Sequence, residues 1–138
     1  MFKSPYEEFD GIVYFPRMLE KIRMHAKGEL PNEYIPYLGN GFDRRCVDFL
    51  GVSYQELKEK VLGGRSDREV MDWCRESGRE RSEDEILVWN EFMIKRGWRD
   101  TSPSTGDFQQ YKSKYGLGHR EDIETYFDFF EVDEGRAE

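Results

Sequence analysis

Arg17, Lys21 and His25 stand four residues apart in the stretch Tyr14-Phe15-Pro16-Arg17-Met18-Leu19-Glu20-Lys21-Ile22-Arg23-Met24-His25. On a helix this spacing makes one ridge, along the edge of an apolar stripe formed by Phe15, Met18, Leu19, Ile22 and Ala26. Two cations in line suit a phosphate or a carboxylate, and His25 is a candidate general base. The helix start points the same way. Pro16 suits the first helical position, which makes Phe15 the N-cap, a residue with no side-chain oxygen for the free first-turn N–H groups. Arg17 in that turn opposes the macrodipole, at a cost of roughly 0.3–1 kcal/mol. An anion held there answers both problems. It is either a ligand or one of the chain's own acids, with Asp43 and Asp122 the leading internal partners. Lys21 and Arg44 add charge to such a site, and Tyr37 and Asp43 shape its loop side.

A second polar cluster, Arg120-Glu121-Asp122-Ile123-Glu124-Thr125-Tyr126-Phe127-Asp128, lies far along the chain. Read structurally, Asp122 caps a helix and Asp128 is solvated. Read functionally, Arg120 and Asp122 belong to a lid over the Arg17 site. Metal chemistry is not expected, because His25, Cys46, Cys74 and His119 fall in no C-x-x-C, H-x-x-H or H-E-x-x-H spacing. Phosphate-cradling, dinucleotide and nucleophile-elbow patterns are absent as well, so no cofactor is expected. If the chain is an enzyme, its base comes from His25, Asp43 or Asp122.

The elements that must position these residues read as an all-α single domain of about five to seven short amphipathic helices. Residues 1–15 are an extended arm, with a lone apolar run at Gly11–Phe15 that has no evident strand partner. Residues 16–100 are the helical core. Phe42, Cys46, Phe49 and Leu50 make a short helix closed by Gly51, after a packed loop from Leu30 to Gly41. Ser53/Glu56, Ser66/Glu69 and Ser82/Glu85 are capping boxes that open three more helices, with Trp98 closing the last apolar face. Residues 101–106 are a polar linker, and 107–138 form a helical extension. Its last helix, from Asp122 to about Val132, carries Ile123, Tyr126, Phe127 and Phe130 on one face and docks back on the domain; otherwise that face engages a protein partner.

The chain has 138 residues, 15% of them aromatic, and a net charge of −8, with nine acids against four bases from Thr101 onward. That aromatic content excludes disorder, and the acidity without any basic run disfavours nucleic acid. No apolar stretch approaches a membrane span, and the start lacks a secretory h-region. Cys46 and Cys74 fall on apolar helix faces and are expected to be free buried thiols of a cytoplasmic protein.

Tyr14 to Arg23, Gly41-Phe42-Asp43-Arg44, Phe49-Leu50-Gly51-Val52, Ser66 to Trp73 and the segment Asp122 to Asp128 together resemble the bacterial family labelled domain of unknown function 5069. The resemblance runs through most of the chain. It implies a small cytoplasmic bacterial protein and brings no catalytic residues with it. The residues themselves favour a binding module for a small anionic ligand. The alternatives are a protein-interaction module acting through the acidic aromatic tail, and an enzyme on a small anionic substrate.

Overall fold

The apolar run at Ile12 finds a strand partner only four residues upstream. In the computed structural model, which describes residues 2–101 and 104–138 and not the side chains of 104 and 105, β1 (Glu8–Phe9) pairs antiparallel with β2 (Ile12–Val13). Asp10 and Gly11 between them both take positive φ, 53° and 79°. This is the two-residue turn whose twist suits a hairpin, and Asp-Gly is its favoured sequence. The extended arm is therefore a hairpin. Strands of two residues are too short to show an alternating pattern, which is why the run read as unpartnered.

Tyr14 leaves the hairpin at φ 76° and is the N-cap of α1 (Phe15–Ala26), without a side-chain cap bond. Phe15 is thus the first helical residue and Pro16 the second, one position later than expected. Pro16 still spares the helix one free donor, because it has no N–H. Phe15, Met18, Leu19 and Ile22 are almost completely buried, whereas His25 and Ala26 are exposed. The buried stripe ends one turn sooner than the sequence pattern.

A 3₁₀ turn (Asn32–Tyr37) structures the Pro-rich loop. There follow α2 (Phe42–Leu50), α3 (Tyr54–Leu62), α4 (Asp67–Ser77) and α5 (Glu83–Lys95). Ser53, Ser66 and Ser82 cap α3, α4 and α5 at the expected positions; the reciprocal glutamate bond forms at Ser66 and Ser82. Leu57, Val61, Val70, Met71 and both cysteines fill the core between these helices, and the cysteines are free and buried. The hairpin is pinned on two sides. Asp10 accepts from Arg68 at 2.6 and 2.8 Å and pairs with Arg75 at 2.8 Å, while Asn90 of α5 bonds Val13 N–H and Gly11 C=O.

Trp98 does not close the α5 face: it lies beyond the helix end and is 43% exposed. The chain turns away before it at Gly97, where φ is 105° and a Cβ would sit 3.1 Å from the Phe108 ring. Only glycine fits that approach without strain. α6 spans Ser104–Lys114, so the second half of the expected 101–106 linker is helical, and Ser102 and Pro103 lie outside the described residues.

The last helix, α7 (Tyr126–Asp133), is capped by Thr125 and not by Asp122. Asp122 instead pairs with Arg120 two residues before it. α7 docks on the domain with Phe127 and Phe129 fully buried. Phe127 enters the main core, with its centroid 5.2 Å from Tyr6 and 5.8 Å from Phe42. Phe129 joins Phe108 and Ile123 in a second cluster over α6. A helix packed on both sides has no single apolar face, so Phe129 was not legible as a core position. Among the described residues no helix is long and apolar enough to cross a membrane.

Because Phe127 is fully buried among aromatic rings, Phe127→Ala should lower stability by about 3–5 kcal/mol. Chemical denaturation with unchanged m-value measures this, and a loss below 1 kcal/mol would mean that α7 is not part of the cooperative fold.

Candidate functional site

Arg17 is 2% exposed, so its charge must be matched inside the protein. The match is Glu134, just beyond α7. Arg17 Nη1 donates to Glu134 Oε1 and Nη2 to Oε2, both at 2.7 Å. This is the planar two-point pairing that a guanidinium makes with a carboxylate. The internal partner is therefore neither Asp43 nor Asp122. Nη1 also donates to Lys3 C=O at 3.2 Å, and the guanidinium lies 4.7 Å from the Phe130 ring centroid and 5.1 Å from that of Phe2. Its Nε is buried and has no hydrogen-bond partner among the described residues.

Glu134 is itself held from three directions, accepting from Tyr34 Oη at 2.9 Å and Arg136 Nη2 at 2.6 Å besides Arg17. Burial pushes its pKa up, but the Arg17 bonds and charge, aided by Arg136 and Tyr34, outweigh this and hold the carboxyl below its ordinary value. For Arg17, desolvation acts to lower the pKa and Glu134 more than reverses it.

One turn along α1, Lys21 Nζ stands 2.8 Å from Asp43 Oδ1 and donates to Tyr14 Oη at 2.9 Å. Tyr14 donates to the same Asp43 oxygen at 2.7 Å, and Gly39 N–H reaches the other at 3.0 Å. Asp43 is wholly buried, and this network satisfies both of its oxygens. Burial, reinforced by Asp43, drives the Tyr14 pKa well above its usual value, so the phenol is a neutral donor.

Above these two pairs opens a cavity of about 440 Å³, lined by α1, the 3₁₀ turn, the start of α2, the end of α5, α6 and α7. Half of its fourteen lining residues are aromatic: Tyr14, Tyr34, Tyr37, Phe42, Tyr111, Tyr126 and Phe130. Four are cationic: Arg17 and Lys21 in the wall, with Arg45 and Arg96, both half-buried, on the α2 and α5 sides. Asp107 is the one acid in the lining. Gly41, which has no side chain to cap α2, also lines the cavity, and in the first turn of that helix Asp43 N–H is met by Asn40 C=O at 3.1 Å.

Three of the lining cations have a carboxylate close by. Arg17 has Glu134, Lys21 has Asp43, and Arg96 Nη1 is 3.6 Å from Asp100. Arg45 makes no ion pair among the described residues. It lies instead over the Phe92 ring, 5.2 Å from the centroid, as does Arg96. Burial, then Arg96 and Arg44, lower the Arg45 pKa against a smaller opposing pull from Asp100 and Asp48.

Of the residues singled out in the sequence, Arg17, Lys21 and Tyr37 line this cavity and Asp43 lies directly behind it. Arg44 does not reach it: it is exposed and pairs with Asp48 at 3.0 Å. Arg120 and Asp122 sit in a separate shallow depression with Tyr6 and Asp128. His25 points to solvent. Sequence reasoning missed Arg45, Arg96, Tyr34 and Glu134. Arg45 is a neighbour of Arg44 one helical step round α2; Arg44 has Asp48 four residues on and Arg45 has Phe49, a local difference that does not by itself mark Arg45 as a cavity residue. Among the described residues no group of three or more His, Cys, Asp and Glu is placed to hold a metal.

The chain belongs to the family described as Domain of unknown function (DUF5069), whose profile matches residues 1–136. Comparison with curated proteins and with solved structures gave no match.

Arg17→Ala leaves Glu134 buried beside only Arg136 and Tyr34. The expected cost is about 3 kcal/mol, the low end for breaking a buried pair, because Arg136 stays bound. Glu134→Gln tests the same pair by pH. A carboxyl whose folded pKa is depressed stabilises the fold above its unfolded pKa, and that contribution is lost as pH falls through the folded one. The wild-type protein should therefore lose stability more steeply than Glu134→Gln below about pH 4.3, the ordinary glutamate value. Parallel acid-denaturation profiles for the two proteins would show that the pair contributes nothing.

Proposed function

We propose that this protein is a binding module for a small anionic ligand, held in the aromatic cavity between α1, α2, α6 and α7. The observation that carries this reading is Arg45. A guanidinium that is half-buried, makes no ion pair among the described residues and lies beside Arg96 raises the energy of the empty cavity, and an anion relieves it. The start of α2, which has no side-chain cap, acts in the same direction. On a protein of net charge −8, such a spot also directs an anion away from the general surface and toward one place.

This moves the binding site from the start of α1 to the start of α2. Glu134 already supplies the anion that α1 lacks, so Arg17 and Lys21 form a polarised wall and Arg45 and Arg96 meet the ligand. Tyr37, 40% exposed on the 3₁₀ turn, stands at the mouth. The partner-protein reading gains less support, because, of the tail face that would engage a partner, Ile123 and Phe127 are buried in the domain and Tyr126 and Phe130 are half-buried.

Arg45→Gln is the sharpest test, since the residue has no ion pair to lose. It should change stability by no more than about 0.5 kcal/mol. A ligand present at 100 times its Kd should raise the wild-type stability by about 2.7 kcal/mol in a thermal-shift screen of anionic metabolites, and the variant should lose most of that gain. If no anion shifts the wild-type melting temperature, or the variant responds equally well, the reading fails.

A further inference from the structure

We infer that the ligand is an aromatic monocarboxylate, one or two rings carrying a single carboxylate; this rests on the binding reading above. Charge decides against polyphosphates. Of the four lining cations only Arg45 makes no ion pair among the described residues, with Asp100 and Asp48 acting on it from further off, and Asp107 adds a negative charge on the α6 side. The lining cations and the acids beside them therefore balance, with Arg45 the one cation that makes no ion pair among the described residues; a single carboxylate can meet it there, whereas a nucleotide triphosphate would bring several negative charges into a partly desolvated space.

Shape favours a carboxylate over a compact phosphate. Arg45 and Arg96 both line the cavity and both lie over the Phe92 ring, and the planar fork of a guanidinium matches a planar carboxylate at two points. The chain itself shows that match a short way along the wall, where Glu134 occupies the fork of Arg17.

The rest of the cavity is built for rings. Tyr37 and Tyr111 meet edge-to-face across it, with centroids 6.5 Å apart at 80°. Phe42 and Tyr126 make a second such pair at 5.5 Å and 82°. A planar body can take up the same edge and face contacts with these walls. The hydroxyls of Tyr37, Tyr111 and Tyr126 make no hydrogen bond among the described residues, leaving donors for ring substituents or bridging water. A volume of about 440 Å³ suits a ligand of this size.

The test is calorimetric titration of the full chain with 2-naphthoate, 2-naphthamide, adenosine monophosphate and inorganic phosphate, repeated on Arg45→Gln and Tyr37→Ala. The expected result is saturable one-site binding of 2-naphthoate. The neutral amide should bind at least about tenfold more weakly, and Arg45→Gln should weaken the naphthoate by a similar factor, as for loss of a charged hydrogen bond. Tyr37→Ala should weaken naphthoate as well. Melting temperatures of both variants should match the wild type, which separates lost binding from lost folding. If adenosine monophosphate or phosphate binds in an Arg45-dependent way and naphthoate does not, the carboxylate inference is overturned and the anion-binding reading stands. Equal binding of naphthoate and its amide, or no binding by any probe, overturns both.

Discussion

A guanidinium buried in the first turn of α1 has to find a carboxylate without leaving the protein, and in this chain the carboxylate comes from 117 residues away. The Arg17–Glu134 pair fixes much of what surrounds it. For Glu134 to reach Arg17, α7 has to end beside the first turn of α1, and this places Phe127 among Tyr6, Tyr14 and Phe42 and lays Phe130 on the guanidinium. The N-terminal segment closes from the other side, with Phe2 C=O bonded to Arg136 and Lys3 C=O to Arg17. Buried ion pairs recover little net free energy once desolvation is counted. The hydrophobic contacts of α7 therefore hold the fold together, while the pair sets the register in which they are made.

The cavity follows from this arrangement. The main core ends at Phe127, and a second cluster begins with Phe108, Ile123 and Phe129. Buried Lys112 anchors that cluster, donating to the carbonyls of Arg120 and Ile123 at 2.8 and 2.9 Å. Phe130 packs against both clusters, Tyr126 packs against the second and meets the Phe42 ring at 5.5 Å, and both line the cavity. A site lined from both clusters draws its walls from separately packed units, so a ligand there is read by both.

What the sequence disclosed was local. The serine caps of α3, α4 and α5, the span of α2 and its glycine stop all depend on residues within one turn of each other, and each lies where expected. Arg17 and Lys21 were visible for the same reason: a cation in an uncapped first turn is a conflict on the page. The partner that resolves it was not visible. Nine acids follow Thr101, and nothing in the order of residues separates Glu134 from the other eight, because the choice is made by where α7 comes to rest. Arg45 was hidden differently. Arg44 has Asp48 four residues on and faces solvent, while its neighbour turns inward, and only the placed helix shows which of the two lines the cavity. Tyr14 escaped because a left-handed tyrosine is rare enough that no propensity anticipates it.

The distance between Arg17 and Glu134 along the chain also has a meaning in time. At roughly 5–20 residues per second, a ribosome needs about 6–23 seconds to travel from the first of these codons to the second. During that interval the helices from α1 to α5 are made, while the cation at the head of α1 still lacks its carboxylate. The hairpin, the capped helices and the Cys46–Cys74 core can settle early, since their contacts are mostly short-range. The cavity cannot, because two of its walls are the last helices made. A chain caught between those moments is a folded body with an open, positively charged cleft.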